Sequence, residues 1–134
     1  MALLVLYAFV FFAGWFLSRG ANVQKFLFKT RPEEKLLGIL APVALVDGNH
    51  RLLGSGFWRL SRHINYLGEI LMARRLTPVL GWPADPWPWL YPAYYLVLLV
   101  SRQADDGRRS AANYGALWTK HCQRVPYRII PRVY

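Results

Sequence analysis

A single cysteine, Cys122, and three histidines far apart, His50, His63 and His121, are all the soft metal-ligand chemistry the sequence contains. One thiol closes no disulfide within a chain, and histidines so dispersed lack the short spacings of a zinc site. No metal is therefore expected. Acidic residues are scarce too: seven Asp and Glu stand against seventeen Lys and Arg, a formal net charge of +10. Such a charge would suit nucleic acid, but hydrophobic residues make up 54% of the 134 positions and charged ones only 18%. A chain this small cannot bury that much apolar sequence in a soluble core. The balance points to a membrane protein with its cations on one side, and no nucleic-acid partner is expected. Neither GxGxxG nor a P-loop is present, which excludes the standard soluble nucleotide folds.

What is present is a series of apolar runs. MALLVLYAFVFFAGWFLS, residues 1–18, carries no charged side chain and approaches the run of about 20 residues that crosses a bilayer as a helix. A secretory signal would place basic residues before such a run and a small-residue cleavage site after it. Here Arg19, Lys25, Lys29, Arg31 and Lys35 follow it, so the run predicts a transmembrane helix ending at the cytoplasmic face. LLGILAPVALV, 36–46, is too short to span and is interrupted by Pro42. With Asp47-Gly48 offering a tight turn, it predicts a re-entrant or interfacial hairpin. Further spans are predicted over 64–81 and 87–100. The loop between them, WPADPWPW, holds Trp82, Trp87 and Trp89, residues suited to a membrane interface. A final polar helix is predicted from Arg102 to about Cys122, with Asp105 and Asp106 capping its start. Pro126 and Pro131 keep the tail VPYRIIPRVY out of regular helix.

With these spans the basic clusters at 19–35, 51–62 and 102–132 fall on one side, and the opposite loop, 82–88, has no Lys or Arg. That distribution follows the positive-inside rule and places the N-terminus outside. Arg74 and Arg75 are exceptions, suited to snorkelling or to lining a polar cavity. The expected fold is all-α: a multi-pass transmembrane helical bundle of about three spans with a cytoplasmic C-terminal helix, as one membrane domain over residues 1–134.

The most varied chemistry gathers at the mouth of this bundle. RHINYLGEIL, residues 62–71, sets a guanidinium, an imidazole, an amide, a phenol and a carboxylate into ten residues. Lys25 and Lys29 lie one helical turn apart, Trp58 precedes the segment, and Asp106 and Tyr114 return to the same level after the last span. Cations suit phosphates, an aromatic ring stacks on a flat heterocycle, and Asn or Asp fixes a ribose or an amide. The set suits a nucleotide-like cofactor held at the membrane surface. An interfacial cluster anchoring a helix end is the plainer alternative, in which Lys25 and Lys29 are positive-inside anchors and His121 is a packing residue. Glu69, one turn into an apolar segment, needs a partner, and Arg62 or Arg74 could supply it.

Three blocks, GANVQKFLFK, LLGSGFWRLSRHINYLGEILMA and YGALWTKHCQRVPYRIIPRVY, together resemble the C-terminal part of the sterol reductases, most of all the delta-14 sterol reductases and the reductase-like domain of the lamin B receptor. The resemblance runs from about Arg19 to Tyr134, with the blocks in the family's order. It implies a multi-pass membrane enzyme that reduces a sterol carbon–carbon double bond: an acid protonates the alkene and NADPH delivers hydride to the resulting cation. It implies cofactor contacts at Lys25, Lys29, Leu53, Trp58, Asn65 and Tyr66, then at Asp106, Ser110, Tyr114 and His121, with Arg62 and His63 in the same pocket. The resemblance implies the catalytic roles for Glu69 and Asp106. The sequence departs from the family pattern at Asp105, Gly107, Ser110 and His121. Only the cofactor-binding third of the pattern is matched, so the sterol cavity and its proton-donating tyrosine would need upstream spans, a partner chain or an oligomer. The resemblance implies sterol and membrane lipid as partners, and residence in the endoplasmic reticulum for a eukaryotic source or the inner membrane for a bacterial one. Two other readings stand beside it. One is an S-adenosylmethionine-dependent methyltransferase resembling the isoprenylcysteine carboxyl methyltransferases, whose R-H-P-x-Y-x-G motif has its proline position at Ile64. The other is a truncated, non-catalytic membrane protein.

Overall fold

The computed structural model describes residues 1–80 and 84–134. It opens with one unbroken helix, α1, Ala2–Thr30. At about 1.5 Å of rise per residue, α1 is long enough to cross a hydrocarbon core of about 30 Å and continue beyond it, with Lys25 and Lys29 past the apolar run. Large apolar side chains along it, among them Phe9, Phe12 and Phe16, are exposed, as lipid-facing positions would be. Among the described residues α1 is the one helix long and apolar enough to cross a membrane by itself.

The chain is mostly helical, as expected, with one β-element added. Strands β1, Ala44–Asp47, and β2, His50–Leu53, form an antiparallel hairpin with Ala44 opposite Leu53 and Asp47 opposite His50. Gly48 turns it at a φ of 55°, a backbone that glycine adopts without penalty. A hairpin falls where the sequence placed one, but it is a β-ladder, closed by the turn at Gly48.

A short helix, α2, Phe57–Leu60, leads into α3, Ile64–Val79. The span expected over 64–81 thus appears as 16 helical residues, while Gly81, together with Trp82 and Pro83, lies outside the described residues. After a 3-10 turn at Trp87–Trp89, helix α4 runs from Leu90 to Tyr114. Here the expectation of a break near residue 100 fails. Between Leu98 and Asp106 there is no Gly or Pro to interrupt the backbone, so hydropathy changes while the helix continues. Asp105 and Asp106 are therefore mid-helix and cap nothing. The chain breaks instead at Gly115, with φ 51°, before α5, Ala116–Arg124.

The most extensive pairing is α1 on α3, and it is close because Gly14 and Gly68 face each other. A Cβ on Gly68 would lie 2.5 Å from the Gly14 carbonyl oxygen and 2.7 Å from the Ser18 nitrogen. Beyond this crossing Ala21, Leu53, Trp58 and Ile64 form a buried core, flanked by Leu17, Phe28, Phe57 and Leu67. The Trp58 indole N–H donates to the Ala21 carbonyl at 2.8 Å. Gln24 locks the turn into α2: its amide donates to the Ser55 carbonyl and accepts from the Phe57 N–H, at 3.1 and 3.0 Å. These contacts hold the ends of α1 and α3 and the hairpin around one concavity.

Candidate functional site

The RHINY segment is held by the tail. The N–H groups of Arg62 and His63 donate to the carbonyls of Tyr127 and Arg128, at 2.9 and 2.8 Å. The Arg62 guanidinium donates to the Cys122 sulfur and to the Pro126 carbonyl, both at 3.0 Å. The irregular backbone that Pro126 imposes thus supplies acceptors that a helix would have used internally.

A cavity of about 320 Å³ opens here, within the range of small-molecule sites. Lys25, Phe28 and Lys29 line it from α1, and Arg51, Leu52 and Leu53 from β2. Trp58 contributes from α2, and Arg62, His63, Asn65 and Tyr66 from the entry to α3. On the opposite wall stand Asp106, Arg109, Ser110, Asn113 and Tyr114 of α4, with Trp118 of α5. Eleven of the twelve residues named for cofactor binding from the sequence are in this lining. His121 is not. It is buried behind the wall, stacked on Trp118 with ring centroids 5.4 Å apart.

Six further lining residues escaped the sequence reading: Phe28, Arg51, Leu52, Arg109, Asn113 and Trp118. Arg109 and Asn113 share a helix face with Asp106, Ser110 and Tyr114, by the three- and four-residue spacing of an α-helix. The polar helix predicted from Arg102 to about Cys122 already carried that signal. Arg51 arrives through the hairpin register, opposite Val46.

The charges around the cavity are unbalanced. Lys25, Lys29, Arg51, Arg62 and Arg109 face one acid, Asp106. Among the described residues the ion pairs are Arg31 with Glu34 and Arg108 with Asp105, both exposed. Lys25 lies over the Trp58 ring, 4.9 Å from its centroid, and Arg62 over Trp118 at 5.9 Å. His63 stacks on Tyr66 at 5.0 Å with 13° between the rings. The Tyr66 hydroxyl donates to Asp106 Oδ2 at 2.7 Å. Asn65 donates weakly to Asn22 at 3.4 Å, while its buried Oδ1, His63 Nε2 and Arg62 Nε have no partner. Unpaired buried polar atoms beside a cationic, aromatic-lined concavity are what a polar anionic ligand would satisfy.

Glu69 stands apart. It lines a neighbouring cavity of about 360 Å³ with Tyr95, Leu98, Leu99 and Arg102, and Asn65 and Tyr66 are common to both cavities. Its partner is neither Arg62 nor Arg74: Ser18 Oγ donates to Glu69 Oε1 at 2.6 Å. The close α1–α3 crossing brings Ser18 within reach, which no local spacing could reveal. Arg75 lies over the Tyr7 ring at 5.2 Å.

Burial holds both histidines of this region down to about 4. Arg62 adds to the effect at each, and Asp106 opposes it at His63. Both are then neutral in the folded chain while an unfolded chain binds protons below about pH 6.5. Stability is fully present above pH 6.5 and is lost as pH falls toward 4. Thermal unfolding in detergent should show a melting temperature level from pH 7 to 8 and falling steadily below 6.5. His121→Phe should make that fall shallower, and an unchanged slope would show that His121 does not carry it.

A family model described as the ergosterol biosynthesis ERG4/ERG24 family matches residues 2–134. This chain belongs to that family. It is 39% identical over 131 residues to the delta(14)-sterol reductase of Arabidopsis thaliana, covering 98% of this chain and 34% of the relative. Against the Schizosaccharomyces pombe delta(14)-sterol reductase erg24 it is 42% identical over 123 residues, 92% of this chain and 28% of the relative. Against the Gallus gallus delta(14)-sterol reductase LBR it is 38% identical over 114 residues, 85% of this chain and 18% of the relative. The chain thus spans between 18% and 34% of the length of these relatives. The family match decides between the two membrane-enzyme readings in favour of the reductase lineage. Of the departures from the family pattern, Ser110 lines the cavity, and Asp105 forms its surface pair with Arg108. A Cβ at Gly107 would meet only the Gln103 amide, and His121 sits behind Trp118.

Proposed function

We propose that this ERG4/ERG24 family chain is the cofactor-binding part of a sterol reductase of the delta-14 type, and that NADPH binds in the cationic cavity. The observation that supports this best is the convergence there of five cations, three aromatic rings wide enough to stack, and unpartnered atoms of Asn65 and His63. The residues fit the group. Lys25, Lys29, Arg51 and Arg109 suit its phosphates, Trp58, Tyr114 and Trp118 its flat rings, and Asn65 Oδ1 an amide N–H. When bound, NADPH supplies the hydride. In this reading Tyr66 and Asp106 hold a proton between them at the wall common to both cavities, and Glu69 faces the neighbouring cavity from the other side of that wall. Asp106 and Glu69 are the acids available to protonate one alkene carbon while hydride adds to the other. The substrate is a sterol, as the names of the relatives suggest, and the remaining walls of its cavity come from further protein, in a longer chain or a partner.

Calorimetry on the detergent-purified chain tests this, with NADPH against S-adenosylmethionine. Saturable NADPH binding is the expected result. Binding of the methyl donor in place of NADPH would overturn the cofactor assignment, and binding of neither would leave the non-catalytic reading. Asn65→Ala and Tyr66→Phe should each weaken NADPH binding by about twofold to tenfold, the range of one net hydrogen bond. Unchanged affinity in both variants would remove the site.

The reading also carries three spans, α1, α3 and the first half of α4, with the N-terminus outside and the cavity at the cytoplasmic face. In sealed vesicles, an N-terminal tag should be cleaved by protease from the outside face. Protection there would overturn this topology.

A further inference from the structure

The segment between α1 and β1 has no role in the cofactor site, yet it is built unusually. Leu36 is 6% exposed and anchors a closed turn. Its N–H donates to the Leu40 carbonyl at 3.0 Å and its carbonyl accepts from the Leu40 N–H at 3.1 Å. Inside the turn, Gly38 donates to Lys35 and Ile39 to Leu36, each at 3.2 Å. At its tip Leu37 adopts a φ of 54°, a left-handed backbone that disfavours residues with a Cβ. That strained, hydrogen-bonded turn displays two large apolar side chains, Leu37 at 74% and Ile39 at 81% exposure. Val43 and Val46 extend the exposed apolar surface toward the hairpin. A tip facing water would have no reason to combine a strained leucine with maximal apolar exposure.

Beside this surface lies a groove of about 460 Å³. Phe28, Pro32, Pro42 and Val46 give it apolar walls, while Lys35 and Arg51 provide cations against the one acid, Glu33. An apolar tip next to a cation-bearing groove is complementary to a phospholipid, whose acyl chains and anionic headgroup present those two chemistries side by side. The segment directly follows the helix that can cross a membrane, on the side where the basic residues gather.

We propose that residues 36–46 form a rigid insertion loop that seats in the cytoplasmic leaflet, and that the adjoining groove takes the headgroup of an anionic phospholipid. This rests on membrane embedding, and Lys35 is the groove's own headgroup cation, since Arg51 also lines the cofactor cavity.

The test is photo-crosslinking in nanodiscs holding one copy of the full chain. The probes are phosphatidylserine and phosphatidylcholine with diazirine-bearing acyl chains, and adducts are mapped by peptide mass spectrometry. Adducts should appear on 36–46 as well as on α1, with phosphatidylserine favoured on the loop by about fivefold. Lys35→Glu should abolish that preference. Leu37→Gly combined with Ile39→Ser should remove most loop adducts while those on α1 persist, since glycine accepts the left-handed position without strain. A melting temperature no lower than that of the parent chain checks that this variant folds. Adducts confined to α1 would overturn the insertion loop, as would protein–protein cross-links on 36–46 in larger discs in place of lipid adducts. Equal labelling by both lipids would overturn the headgroup site.

Discussion

Gly68→Ala should lower the stability of this chain by about 3 kcal/mol, although it adds a single methyl group. The added Cβ would lie 2.5 Å from the Gly14 carbonyl oxygen and 2.7 Å from the Ser18 nitrogen. Both are backbone atoms, which cannot rotate away as a flexible side chain would, so the two helices must separate. Separation loosens the largest helix pair in the chain and draws Ser18 away from Glu69. Gly107→Ala is the natural control. Its Cβ would meet only the Gln103 amide at 3.8 Å, and alanine is the better helix former by about 1 kcal/mol. Thermal unfolding in detergent should therefore show the two glycine-to-alanine changes moving in opposite directions. Equal behaviour would mean that α1 and α3 do not pack through this crossing.

Arg62→Ala should weaken NADPH binding by about tenfold to a hundredfold, the cost of losing a charge-assisted contact together with its network. Arg62 does two things at once. It supplies one of the five cations of the cavity, and its two guanidinium nitrogens tie α3 to Cys122 and to the Pro126 carbonyl. Arg62→Lys should restore little of the loss, because one ammonium on a flexible stem cannot reproduce a planar fork reaching two acceptors. Calorimetry gives the affinity, and limited proteolysis within 124–134 reports whether the tail has been released. Full rescue by lysine with an intact tail would reduce Arg62 to a point charge.

Much of the candidate site was legible because its residues cluster in sequence. The RHINY segment, Lys25 with Lys29, and Asp106 with Ser110 and Tyr114 are each local groups whose chemistry points to a phosphate-bearing, flat-ringed ligand. The fold was legible where hydropathy and backbone rules agree: α1, the hairpin after Pro42, the non-helical tail. It was misread where they diverge. The polar turn at residues 101–106 looked like a helix start, but polarity does not end a helix, and only Gly115 supplies a conformation that does. Arg51 went unnoticed because a hairpin register, not a local spacing, carries it to the cavity.

By itself the sequence determined the apolar first helix, the clustering of basic charge after it and the family to which the chain belongs, since each is carried by residues close together or by blocks in order. Tertiary structure alone decided that Glu69 pairs with Ser18, that His121 lies behind Trp118, and that Tyr66 donates to Asp106. Those pairings depend on how closely α1 approaches α3 and on where the tail and α4 cross the mouth of the bundle. Such distances follow from the packing of whole helices, so residues 40 to 51 positions apart meet without any local signal.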